Sequence, residues 1–222
     1  MKTFTQKHSS GTLGWKAAPM AILGAACLMM LASCASPLSD AEATEQALAL
    51  MKSGFKEQGQ AKLDRLEQDE AQKICSRAAD APALDKVVEK RIEESNLKAV
   101  KFPADGKLLG DWREGERIAQ SGIGKQFTDN PATPSGANCY ACHQLSPTEL
   151  SFGTIGPPLL GYGKIRAQIP DIAKYTYTKI YNPQAYAACS NMPRFGHNQI
   201  LTEAQITHVV ALLLDPNSPV NK

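Results

Sequence analysis

The tightest constraint on this chain is five residues long. Cys139-Tyr140-Ala141-Cys142-His143 places two thiols three positions apart and an imidazole directly after the second. Two thiols at that spacing on one helical turn reach two electrophilic carbons on the rim of a planar group. The next side chain is then delivered over that group's face. This is the arrangement of c-type haem attachment, with thioether bonds from Cys139 and Cys142 and His143 as an axial ligand to iron. A zinc knuckle would need a second close pair of ligands, which the sequence lacks. A thioredoxin-type redox pair would follow a strand in a βαβ unit, and no such unit can be read here. The chain therefore reads as carrying one covalently attached haem c.

An iron held by one histidine needs a sixth ligand or an open position. Beyond the leader, methionine occurs only at Met51, in a charged segment, and at Met192, in Asn191-Met192-Pro193-Arg194-Phe195-Gly196. Met192 lies on a proline-containing loop just before the last helix, where a small cytochrome brings a ligand round to the opposite haem face, and His/Met ligation raises haem potential. His197 is the main rival. His208 falls within the last helix and reads as a surface or helix-end residue. Gly156-Pro157-Pro158-Leu159 resembles the loop of class I cytochromes c in which the first proline carbonyl accepts the Nδ1 proton of the haem-ligating histidine, a bond that fixes the tautomer. A Gly-Pro-Pro run would also make a plain rigid turn. Gly153, Tyr162, Arg166 and Arg194 are candidates for contacts with the haem edge and propionates.

The other four of the six cysteines place the chain in a compartment. Lys2, Lys7 and Lys16 precede an uncharged run from Ala17 to Ala35 whose apolar heart, Met20 to Leu31, is short for a bilayer of about 30 Å but fits a secretory h-region. Residues 1–35 thus read as a signal peptide, which discards Cys27 and directs the protein to the periplasm. Leu31-Ala32-Ser33-Cys34 resembles a bacterial lipobox, which would acylate Cys34 and tether the chain to a membrane. Ser33-Cys34-Ala35 equally fits ordinary small-x-small cleavage. Cys75 and Cys189 remain, and in an oxidising compartment an even leftover pair reads first as a disulfide. A free thiol facing a partner is the alternative.

Beyond the leader the chain divides in two. Residues 36–100 carry ten basic and thirteen acidic groups and one aromatic, Phe55. Apolar residues at helical spacing (Leu48, Met51, Phe55; Leu63, Leu66; Leu84, Val87, Val88, Ile92) predict two or three amphipathic helices broken near Gly59 and Pro82. These stripes are too thin for a core, so the segment either lies on another surface or stays a solvated arm. Residues 101–222 hold nearly all the Tyr and Phe and must contain the core. Asp111 to Gln120 reads as a capped helix on which Gly115 lets another backbone come close. Tyr175 to Tyr181 is a short helix. Thr202-Glu203-Ala204-Gln205 is a capping box that opens a helix with the stripe Ile206, Val209, Val210 and Leu213, stopped by Pro216. The fold class is all-α: a class I cytochrome c-like haem domain over 101–222 behind an N-terminal helical extension. Without the three leader lysines, the chain carries 21 basic against 22 acidic groups, which removes the electrostatic premise of nucleic-acid binding.

Asn138-Cys139-Tyr140-Ala141-Cys142-His143-Gln144, Gly153-Thr154-Ile155-Gly156-Pro157, Gly161-Tyr162-Gly163, Lys179-Ile180-Tyr181-Asn182 and above all Cys189-Ser190-Asn191-Met192-Pro193-Arg194-Phe195-Gly196-His197 resemble the SoxX family, the monohaem cytochrome subunits of bacterial SoxAX complexes. The likeness runs from about residue 108 to the C-terminus. It implies a periplasmic heterodimer with a SoxA-like subunit, in which thiosulfate is oxidatively joined to a cysteine of a SoxYZ-like carrier. Electrons would leave through the haem of this chain to a soluble cytochrome c. On that reading the chain itself performs no catalysis, because His143 and Met192 leave iron no open position. A free-standing cytochrome shuttle is the alternative; a haem peroxidase would need a displaceable sixth ligand.

Overall fold

The computed structural model describes residues 38–78 and 84–222, so the expected leader with Cys27 and Cys34, and the break at Pro82, lie outside the described residues. The described residues form seven α-helices: α1 (Asp40–Gly54), α2 (Glu70–Ala78), α3 (Lys86–Lys98), α4 (Trp112–Gln120), α5 (Tyr162–Arg166), α6 (Ile172–Tyr181) and α7 (Glu203–Leu214). Among them there is no strand, only an isolated bridge between Gln58 and Ala61, so the chain is all-α. The described residues from Leu50 onward make one compact unit, and those up to Ala49 belong to a separate one. In that first unit the described part of α1 is exposed throughout, Leu48 included.

The core of the larger unit is organised by α4 crossing α7. The two can approach because Gly115 has no side chain: a Cβ there would lie 2.1 Å from the His208 carbonyl oxygen. The sequence marks both helix starts. The Asp111 side chain accepts from Arg113 N–H at the head of α4, and the Thr202/Gln205 capping box is closed in both directions at the head of α7. Ile206, Val210 and Leu212 of α7 pack with Leu145 and Tyr177 in the fully buried centre. At the far end of α7 the buried Asn221 side chain donates to the Leu213 and Asp215 carbonyls and accepts from Gly163 N–H, closing the open helix end. His208 is no free surface residue: its Nδ1 accepts from Asp111 N–H over 2.8 Å.

The described residues of 55–100 are tied to this core by a few contacts. Gln60 donates to the Gln126 and Asp129 carbonyls, and Arg65 to that of Lys125. Helix α3, capped by Asp85, turns Ile92 and Asn96 inward while Val87 faces out; the buried face is thus narrower than the apolar spacing predicts. Asn96 accepts from Asn182 Nδ2 over 2.8 Å, and Glu93 accepts from Ala188 N–H. A disulfide joins Cys75 of α2 to Cys189, across 114 residues of sequence.

Candidate functional site

The Cys-x-x-Cys-His motif opens at Asn138, whose left-handed backbone (φ 46°) turns the chain into a single 3-10 turn, Cys139–Ala141. Both Cys142 N–H and His143 N–H donate to the Cys139 carbonyl, so the two cysteines and the histidine are set on one turn. Helix α4 backs it: Ala137 N–H donates to Ile118, Asn138 N–H to Ser121, and the Tyr140 hydroxyl to Glu116 Oε1 over 3.1 Å. Burial raises the Glu116 carboxyl above its ordinary range. Its bonds from Tyr140 and Gln120 offset part of that, the Glu149 charge adds to it, and Oε2 finds no partner.

The loop after the motif runs back along the turn. Gly153 N–H donates to Tyr140, Gly156 N–H to Cys142 and Leu159 N–H to Gln144. Gly156 has to be glycine for this path, since a Cβ would lie 2.2 Å from His143 Cε1. The loop thereby brings the Pro157 carbonyl to 2.7 Å from His143 Nδ1. A carbonyl can only accept, so Nδ1 carries the proton and Nε2 is the nitrogen left to face a ligand.

One apolar cleft joins these groups. Cys139, His143, Leu145, Leu159, Met192 and Phe195 are among its walls. Met192 reaches it from the loop before α7, as the sequence predicts, with its N–H held by the Ser190 hydroxyl. His197 does not line it. That ring sits with Nε2 3.9 Å from Asp69 Oδ2, and burial beside the Arg194 guanidinium holds its pKa below the ordinary value. Arg194, a candidate propionate contact, is itself buried and paired with Asp69 at 2.6 Å. Arg166 stacks over the Tyr162 ring, whose hydroxyl meets Thr176. A broader open groove bounded by Lys101, Lys107, Gln199 and His208 contains neither a thiol nor a thioether.

Cys139 and Cys142 are free thiols, and burial pushes the Cys139 thiol up to about 12. A redox-active pair works through a lowered thiol pKa, which is the opposite. No three His, Cys, Asp or Glu groups converge on one point among the described residues, so no zinc cage is formed there. The cleft thus offers the Cys139 thiol, one imidazole nitrogen and one thioether sulfur, the last two from separate segments of the chain, with Cys142 on the same turn as Cys139. Sequence reasoning passed over Asp69 and Glu116. Asp69 carried a signal, because Asp69-Glu70-Ala71-Gln72 is a capping box: Gln72 N–H donates to Asp69 Oδ1 and Asp69 N–H to Gln72 Oε1.

An all-α protein with this cleft has a relative of the same length class. The chain is 40% identical over 159 residues to an uncharacterized lipoprotein of Aquifex aeolicus (strain VF5), covering 70% of this chain and 73% of the relative. The chain belongs to the same family as that protein. No protein-family model matches it.

Proposed function

We propose that this protein is an exported c-type cytochrome with one covalently bound haem, and that it serves as the electron outlet of a SoxX-like kind. The observation that carries the reading is the convergence on one cleft of Cys139, of His143 with its Nδ1 tied to Pro157, and of Met192. The donor set suits the group. Cys139 and Cys142 would form the two thioethers, and His143 Nε2 and Met192 Sδ would hold the iron. The apolar walls Leu145, Leu159 and Phe195 would exclude water. When bound, the haem supplies a one-electron redox centre; a His/Met pair tunes it upward. The Pro157 carbonyl keeps the imidazole oriented and raises its donor strength. Helix α4 crossing α7 beside the cleft supports a class I cytochrome c-like fold.

In the SoxX-like reading the chain acts beside a SoxA-like partner. Coupling thiosulfate to a carrier thiolate forms one S–S bond and releases two electrons, which pass singly through this chain to a soluble cytochrome c. With His143 and Met192 both holding the iron, the chain would offer no place there for a substrate. That the relative is a lipoprotein supports export and a lipid on Cys34, which would hold the protein to a membrane facing the periplasm. A second reading is a tethered cytochrome shuttle without a fixed partner.

The test is expression with its leader in a periplasm equipped for haem c maturation. One haem per chain, retained on denaturation and lost in a Cys139→Ala/Cys142→Ala variant, is expected. A thioether-to-iron absorption near the red edge should vanish in Met192→Ala. A chain that exports and folds without covalent haem would overturn the proposal. Co-purification with a haem-containing partner whose thiosulfate turnover reduces this chain separates the SoxX-like reading from the shuttle.

A further inference from the structure

We infer that Asp69, far from the motif in sequence, is a positioning residue for the Met192 loop, acting through Arg194. The inference rests on the reading of Met192 as a ligand. The loop is gripped by the preceding segment on both sides of Met192. Three residues before it, Cys189 is bonded to Cys75; two residues after it, buried Arg194 donates from Nη1 to Asp69 Oδ2 over 2.6 Å. Asp69 divides its two oxygens. Oδ1 accepts from Gln72 N–H and so fixes the head of α2, the helix that carries Cys75, while Oδ2 takes the guanidinium. One carboxylate thus couples the helix bearing the disulfide to the loop bearing the thioether. Only 7% of the Arg194 side chain is exposed, and Asp69 is the carboxylate paired with it. Removing that charge leaves a buried cation uncompensated, which the loop relieves by moving outward.

An added ligand such as imidazole competes only with the population in which Met192 has left the iron, so its apparent affinity reports how firmly the loop is held. The haem-loaded, disulfide-intact protein is compared with Asp69→Asn, Arg194→Gln, the double variant and Gln60→Ala. The last removes an arm contact distant from this loop. Asp69→Asn is expected to weaken the red-edge absorption and to bind imidazole about tenfold more tightly. Amides of 189–197 should exchange faster with solvent deuterium, and the double variant should be no worse than Arg194→Gln alone. Gln60→Ala should match the wild type in each readout. A wild-type protein lacking the red-edge absorption would overturn the ligand reading and this inference with it. A wild type that has it, with Asp69→Asn behaving like Gln60→Ala, would overturn the inference alone.

Discussion

His143 Nδ1 donates to the carbonyl of Pro157 over 2.7 Å, and that bond exists because Gly156 leaves the imidazole room. The loop and the ring are therefore one device, and a methyl group is enough to separate them. In Gly156→Ala the new Cβ would meet Cε1 at 2.2 Å, so ring or loop must move. Overpacking of this kind costs about 1–3 kcal/mol. The expected outcome is a lower urea midpoint together with a higher reduction potential in the haem-loaded protein, because an imidazole that loses this bond donates less to the oxidised iron. An unchanged potential would show that Pro157 does not tune the histidine.

The disulfide should be worth more than any single packing contact. Closing so long a loop in the unfolded chain stabilises the fold by about 4–5 kcal/mol. Cys75→Ser, Cys189→Ser and the double variant should lose similar amounts in guanidinium unfolding. Losses that add in the double variant would mean the thiols act separately.

Two carboxyls give opposite pH dependence. Burial raises the Glu116 carboxyl, so its contribution is complete below an unfolded value of about 4.3 and is lost as pH rises through the folded value. Glu116→Gln should therefore gain on the wild type as pH goes from 4 to 7, by up to about 1 kcal/mol in urea midpoint. Asp69 runs the other way. Partial burial would raise it, but the Gln72 N–H, the Arg194 guanidinium and nearby His197 together hold it below the usual range. Its contribution is present above about 3.9 and disappears as pH falls through the lower folded value. Asp69→Asn should cost stability at pH 7 and little at the acid end, read from the same midpoints.

Gly115→Ala would set a methyl against the His208 carbonyl at 2.1 Å and force α4 and α7 apart. A loss of about 1–3 kcal/mol is expected in thermal unfolding. A comparable surface change such as Ser151→Ala should be neutral.

Local chemistry was legible in the sequence. The cap at Asp111, the box at Thr202 and the turn at Cys139 all arise from residues within four positions of one another, and a lone glycine in a helix pattern marked the close approach at Gly115. The Cys75 to Cys189 pairing was legible too, by elimination. What escaped depends on distant partners. Nothing near Arg194 indicates that its charge goes to Asp69, 125 residues earlier. Helix α2 has a single strongly apolar residue, Ile74, and so offers no stripe. Helix α5 is only five residues long and starts from a left-handed Gly161, below what periodicity can detect. Val87 misled in the other direction, since apolar spacing reveals a face but not its width.

The disulfide sets the protein a sorting problem. Among the described residues Cys75 and Cys189 are joined, while Cys139 and Cys142, the thiols that the proposed haem would take, are paired with neither. Exchange proceeds through thiolates, and burial keeps Cys139 protonated at neutral pH. Once folded, the Cys139 thiol is thus a poor partner for exchange. The vulnerable interval is before folding, when a wrong partner could be captured, and chains lost there would be recovered as mispaired species rather than as unfolded protein.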